Sequence, residues 1–126
     1  MTVSYVRKER REVPMADTIS ASDLAQLLKN AKPQHPVVVI DVRLGQVGAI
    51  PGAYHVPVTD LEDKEWHWDP EADVVVYCQL GKGGSDYAAE VLEEQGYHKV
   101  HKLGGGFNAW EAWMQEHPED IPPKEK

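Results

Sequence analysis

Two short, unbroken apolar runs constrain the fold of this chain more than any other feature. They are Val37-Val38-Val39-Ile40 and, after Asp73, Val74-Val75-Val76-Tyr77. Because neither run alternates with polar residues, each predicts a strand that is buried on both faces. Such strands occur mainly in parallel sheets covered by helices. Further strands are predicted at residues 53–56 and 99–103.

Helical patterns alternate with these strands. Ser20, followed three positions later by Asp23, resembles a capping box and predicts a helix over Ala21–Lys29. Two more helices are predicted, from Ser85 as N-cap to about Gln95 and from about Phe107 to Met114. Residues 59–72 are acidic and are expected to be irregular. This alternation predicts an α/β fold, with a central parallel sheet of about four to five strands flanked by helices.

The 126 residues fit one domain, expected at residues 18–117, with a flexible N-terminal arm at 1–17 and a tail at 118–126. The net charge of −8 disfavours binding to nucleic acid. No apolar run is long enough to span a bilayer, so no membrane partner is expected. The N-terminus lacks the apolar core of a signal peptide, which predicts a cytoplasmic protein whose one cysteine stays reduced.

That cysteine, Cys78, directly follows the second buried run. Lone cysteines are often inert core residues, but this one lies where α/β sheets place their ligand sites. The loop and helix start that follow are Gln79, Leu80, Gly81, Lys82, Gly83, Gly84 and Ser85. Glycines let backbone N–H groups turn inward, and a helix start adds a positive end, so an anion cradle that lowers the pKa of Cys78 is predicted. Lys82 adds a positive charge, and Ser85 either hydrogen-bonds the sulfur or caps the helix.

Three segments, in this order, resemble the rhodanese family. They are Val38-Val39-Ile40-Asp41-Val42-Arg43 with Ile50-Pro51-Gly52-Ala53, then residues 74–78 with the glycine loop and Ser85, then Leu103-Gly104-Gly105-Gly106-Phe107-Asn108-Ala109-Trp110. Together they cover residues from about 18 to 116. The resemblance implies a rhodanese-like three-layer fold, Cys78 as the catalytic nucleophile, and residues 79–85 as the loop that binds substrate.

The resemblance also implies the chemistry. A sulfurtransferase or sulfur carrier would move sulfane sulfur through a persulfide on Cys78. The donor would be a small sulfur-containing anion or a protein persulfide, and the acceptor a thiol or a protein sulfur acceptor. Asp41 and Arg43 are expected to form an ion pair that supports the loops. No cofactor is expected. No metal is expected either, because His98 and His101 are three apart at a predicted strand and would point to opposite faces, and no other residues have metal-ligand spacing.

Two alternatives remain open. Ser85 lies seven positions after Cys78, one more than in common rhodaneses, and this longer loop resembles the related cell-cycle phosphatases and arsenate reductases. Those enzymes place an arginine, which grips an oxyanion, where this chain has Gly84. The second alternative is a protein-binding module without chemistry, which would use the acidic surface or Trp66-His67-Trp68. A local hydrophobic cap is the simpler interpretation of those aromatic residues.

Overall fold

The computed structural model describes residues 16–45, 48–81 and 83–118. Its strands and helices, in chain order, are β1 (Asp17–Ile19), α1 (Ala21–Lys29), β2 (Val37–Asp41), β3 (Tyr54–His55), α2 (Val58–Asp63), β4 (Asp73–Tyr77), α3 (Gly84–Glu94), β5 (Lys99–Leu103) and α4 (Gly106–Glu116). The five strands form one sheet in the order β1-β5-β4-β2-β3, and every neighbouring pair is parallel. The predicted α/β class and parallel central sheet are confirmed.

The central strand β4 divides the core into two layers. Val74 and Val76 pack with residues of α2 and α3, whereas Val75 and Tyr77 pack with residues of α1 and α4. Side chains of a strand alternate between its faces, so one apolar run supplies both layers. This explains why the run is uninterrupted, and it sets the direction of each side chain near the end of the strand.

Helix α1 begins as the capping box predicts. The Ser20 hydroxyl accepts a hydrogen bond from the Asp23 amide at 3.0 Å, and the Asp23 carboxylate accepts one from the Ser20 amide at 3.2 Å. Leu24 is fully buried under the helix. Two otherwise unsatisfied amides are thus paired at the start of α1.

Strand β1 was not predicted, and it begins at the last residue of the predicted N-terminal arm. Asp17, assigned to the arm, is the first residue of β1 and lies opposite His101 of β5. The imidazole of His101 hydrogen-bonds Asp17 at 2.5 Å and Asp73 at 2.9 Å. Burial disfavours the charged imidazole, but the hydrogen bonds to Asp73 and Asp17 outweigh that effect and raise the pKa of His101. Residues 1–15 of the predicted arm and 119–126 of the tail lie outside the described residues.

Helix α2 was not predicted, because residues 59–72 were expected to be irregular. The helix runs Val58–Asp63 after Pro57, lacks a side-chain cap, and buries only Leu61. A helix of six residues is too short to show a periodic apolar pattern in the sequence. Packing of Leu61 in the core stabilises this helix, and that packing is not visible in the sequence. No helix in the described part of the chain is long and apolar enough to cross a membrane.

Beyond α2, aromatic side chains cover the edge of the core. Trp66 and Trp68 stack with their ring centroids 5.2 Å apart, and both pack against the core. The Tyr97 hydroxyl donates to the Trp66 carbonyl at 2.9 Å and accepts from the Trp68 amide at 3.1 Å. This segment forms the predicted hydrophobic cap.

Candidate active site

Cys78 follows the last residue of β4 and is half-buried. Its side chain packs on the α2–α3 side of the sheet, opposite to that of Tyr77. The Cys78 sulfur lies 3.6 Å from the Ser85 hydroxyl oxygen, and Ser85 is fully buried. The thiol is therefore neither enclosed in the core nor fully exposed.

The start of α3 lies directly against the cysteine. The N-cap is Gly83, with no side-chain cap, so Ser85 lies within the first turn and contacts the sulfur instead of capping the helix. A Cβ atom built on Gly84 would lie 3.8 Å from the Cys78 Cβ atom. The first turn of α3 therefore packs against the cysteine, and the positive end of a helix favours a negative charge on a group beside it.

The start of the cysteine loop, from Cys78 to Gly81, is tied through its backbone to the start of α4. The Phe107 amide donates to the Cys78 carbonyl at 2.8 Å, and the Asn108 amide donates to the Gln79 carbonyl at 3.1 Å. In a trans peptide the N–H points opposite to the C=O, so the amides of Gln79 and Leu80 point away from α4. Since the thiol also lies on the side opposite α4, these donors and the sulfur share one side of the loop.

Glycines permit this close approach of loop and helix. A Cβ atom on Gly106 would overlap the Cys78 carbonyl oxygen, and one on Gly81 would lie 2.7 Å from the Gly105 nitrogen. Gly81 and Gly106 also have positive φ angles of 80° and 62°, which side chains other than glycine rarely adopt. The turn at Gly81 and the turn at Gly105-Gly106 therefore pack directly against each other, backbone against backbone.

Asp41 and Arg43 form the buried ion pair that was expected. Arg43 Nε lies 2.9 Å from Asp41 Oδ1, and Nη2 lies 2.7 Å from Oδ2, a two-pronged geometry. The Tyr77 hydroxyl donates to Asp41 Oδ2 at 3.1 Å. Burial alone would raise the pKa of Asp41, but the hydrogen bonds and the charge of Arg43 outweigh burial and hold that pKa below its usual range.

The remaining donors of Arg43 hold the loops together. Nη1 donates to Gln79 Oε1 at 2.7 Å, and Nη2 donates to the Gly48 carbonyl at 2.9 Å. The guanidinium lies over the Phe107 ring, 4.6 Å from its centroid, and Arg43 is only 8% exposed. With four of its five side-chain N–H donors occupied and its charge paired with Asp41, Arg43 is engaged in holding the loops and not in binding a substrate anion.

The predicted site residues thus divide into groups. Cys78, Gly84 and Ser85 lie together, while the side chain of Leu80 is 58% exposed and that of Gln79 turns towards Arg43. Lys82 lies outside the described residues. Within the described ranges, no group of three or more His, Cys, Asp or Glu side chains is arranged to hold a metal ion.

Sequence reasoning missed two residues of this network. Tyr77 was assigned only to the strand, although its hydroxyl contacts Asp41 and accepts from the Ile50 amide at 3.2 Å. Asn108 belongs to the third segment that resembles the rhodanese family, but no role was predicted for it. The contact between Tyr77 and Asp41 depends on the register that places Asp41 of β2 beside Tyr77 of β4, and the sequence alone does not give this register.

Comparison with known proteins shows the family of this chain. The sequence profile described as the rhodanese-like domain matches residues 20–112. The chain belongs to the rhodanese-like family. The thiosulfate sulfurtransferase GlpE of Ectopseudomonas mendocina (strain ymp) is 38% identical to it over 78 residues, which are 60% of this chain and 71% of that protein.

Solved structures share the rhodanese-like fold. A rhodanese homologue from the extremely thermophilic bacterium Thermus thermophilus matches with a TM-score of 0.60 and 27% identity, over 74% of this chain and 99% of that one. A protein of unknown function from Rhodopseudomonas palustris CGA009, described as a possible tyrosine phosphatase, matches with a TM-score of 0.64 and 26% identity, over 87% and 85%. The structural neighbours of this rhodanese-like chain therefore include a rhodanese homologue and a protein described as a possible tyrosine phosphatase.

Proposed function

We propose that this rhodanese-like protein is a sulfurtransferase that carries sulfane sulfur as a persulfide on Cys78. The observation that carries the proposal is the setting of the thiol, half-buried beside Ser85 and the start of α3. Backbone donors on the same side of the loop would stabilise a thiolate and then the persulfide anion. The similarity to a thiosulfate sulfurtransferase supports the same chemistry.

The reaction has two displacement steps. The Cys78 thiolate attacks the outer sulfur of the donor, a new S–S bond forms, and the donor's own S–S bond breaks. With thiosulfate the leaving group is sulfite, and with a persulfide donor it is a thiolate, which takes the electron pair of the broken bond. An acceptor thiolate then attacks the outer sulfur of the Cys78 persulfide, takes it away, and restores the Cys78 thiolate.

The donor is a small sulfur-containing anion or a protein persulfide, and the acceptor a thiol or a protein sulfur acceptor. Leu44 and Leu80, which are 73% and 58% exposed, adjoin Arg43 and Gln79 at the site and would suit contact with a protein. Because the first step needs a reduced thiol, a reducing compartment such as the cytoplasm fits the reaction.

Intact mass spectrometry tests the proposal. Incubation with thiosulfate, or with a small-molecule persulfide, is expected to add the mass of one sulfur atom, which a thiol acceptor then removes. Because Cys78 is the single cysteine, Cys78→Ser is the matched control and should gain nothing. If the wild-type protein gains no sulfur from either donor, sulfur transfer is contradicted, and an unperturbed thiol pKa would then favour a protein-binding module without chemistry.

Oxyanion chemistry is the second candidate, and the length of the loop favours it. Ser85 lies seven positions after Cys78, and one structural neighbour is described as a possible tyrosine phosphatase. Gly84 speaks against this function, because it supplies no guanidinium to grip a phosphate or arsenate.

Assays of phosphate and arsenate turnover, in the wild-type protein and in Gly84→Arg, separate the two candidate functions. The Cβ atom added at this position would meet Cys78 and Val42, at 3.8 Å and 4.0 Å, which are ordinary contacts. If sulfur transfer is the native function, the wild-type protein should hydrolyse no aryl phosphate and reduce no arsenate, while Gly84→Arg should gain at most slow phosphatase activity. Cys78-dependent turnover of either substrate by the wild-type protein would support the oxyanion function instead.

A further inference from the structure

The side chain of Gln79 connects two parts of the molecule that lie far apart in sequence. Its Oε1 atom accepts from Arg43 Nη1 at 2.7 Å, and its Nε2 atom donates to Asn108 Oδ1 at 2.5 Å. The backbone repeats the second connection, because the Asn108 amide donates to the Gln79 carbonyl. Both Gln79 and Asn108 are exposed, so this pair is not part of the core.

We propose that Gln79 and Asn108 form a latch that positions the cysteine loop and thereby sets the reactivity of Cys78. Both residues act on the backbone of the loop and not through contact with the sulfur, so both are positioning residues. The role deepens the proposed sulfur transfer and rests on it, although the reactivity of the thiol can be measured without any sulfur donor.

The latch acts through the two peptide groups that follow Cys78. While it is closed, the carbonyls of Cys78 and Gln79 stay directed at the amides of α4, and the N–H groups of Gln79 and Leu80 stay on the side of the thiol. A carbonyl that accepts a hydrogen bond also polarises its peptide group, which makes the N–H on the other side a better donor. Without the latch these peptide groups can rotate, and the thiolate loses donors.

Thiol reactivity measures this effect apart from stability. We would follow alkylation of Cys78 as a function of pH in the wild-type protein, Asn108→Ala, Gln79→Met and the double variant. Methionine preserves the length of the Gln79 side chain without its hydrogen bonds. Glu111→Ala, an exposed change on the same helix, is the matched control. Urea unfolding of each variant reports whether it is folded.

The latch predicts coupled shifts. Loss of one hydrogen bond to the thiolate corresponds to a change of about two- to ten-fold, so the alkylation midpoint of Asn108→Ala should rise by roughly 0.3 to 1 pH unit. Adding Asn108→Ala to Gln79→Met should cause no further rise, because the partner is already gone. Glu111→Ala should leave the midpoint unchanged.

Several results would overturn the latch. They are an unchanged midpoint in both single variants, whatever their stability, additive shifts in the double variant, and a wild-type midpoint equal to that of free cysteine. Failure of sulfur transfer would look different. In that case the wild-type protein takes up no sulfur while its midpoint is lowered and still responds to Asn108→Ala.

Discussion

Replacing Arg43 with methionine is expected to destabilise the protein strongly at neutral pH. The change removes a two-pronged ion pair, and Asp41 is 0% exposed, so its carboxylate would stay buried without the guanidinium, although the Tyr77 hydroxyl and the Arg43 backbone amide would still donate to it. Removing one member of a buried pair costs about 3–5 kcal/mol. That is a large part of a typical stability of about 5–15 kcal/mol, and it corresponds to a fall in Tm of roughly 10–20 °C.

The loss of stability in Arg43→Met should depend on pH. In the wild-type protein the pKa of Asp41 lies below its unfolded value, so the stability it contributes is present above about pH 4 and is lost as the pH falls through the folded pKa. In Arg43→Met burial is no longer opposed by the guanidinium, the pKa of Asp41 rises above its unfolded value, and protonation relieves the buried charge as the pH falls. The difference between variant and wild type should therefore shrink towards acid.

Urea unfolding at neutral pH and near pH 4 measures both differences. Arg43→Lys is the companion variant, since it keeps the charge without the planar fork and should lose less stability than Arg43→Met. A variant Arg43→Met that is as stable as the wild-type protein at neutral pH would refute this reasoning. So would a stability difference that does not change with pH.

Three further predictions test other parts of the structure. Gly106→Ala should slow sulfur uptake by Cys78 at least ten-fold, because its methyl group would overlap the Cys78 carbonyl oxygen, whereas Gly45→Ala, with nothing within 4 Å, should have little effect in the same mass assay. The raised pKa of His101 adds stability that is complete below about pH 6.5 and lost as the pH rises through the folded pKa, so His101→Gln should cost more near pH 6 than near pH 9 in urea unfolding; equal costs would contradict this. Tyr97→Phe should lose about 1–2 kcal/mol in the same measurement, and no loss would show that its two hydrogen bonds contribute little.

The sheet could be predicted because its signal is local. The runs in β2 and β4 are short, unbroken and rich in β-branched residues, a pattern typical of a strand buried on both faces, and glycines directly precede α3 and α4. Strand β1 and helix α2 escaped prediction because contacts far along the chain stabilise them. Asp17 of β1 is fixed by His101, and α2 buries only Leu61.

The residues of the candidate site also divide into those that the sequence predicts and those that it does not. Cys78, Asp41 and Arg43 were found because they belong to segments that resemble a known family. The connection between Gln79 and Asn108 was not found, since it joins residues 29 positions apart and depends on how α4 packs against the loop. The role of Ser85 stayed open until the start of α3 was located at Gly84, with Gly83 as its cap.

A single-turnover experiment with thiosulfate labelled in its outer sulfur tests the central claim most directly. The account predicts that the label is found on the peptide that contains Cys78, in at most one equivalent, and that cyanide releases it as thiocyanate while the thiol is restored. Label that stays in free thiosulfate, or that binds equally to Cys78→Ser, would contradict the account.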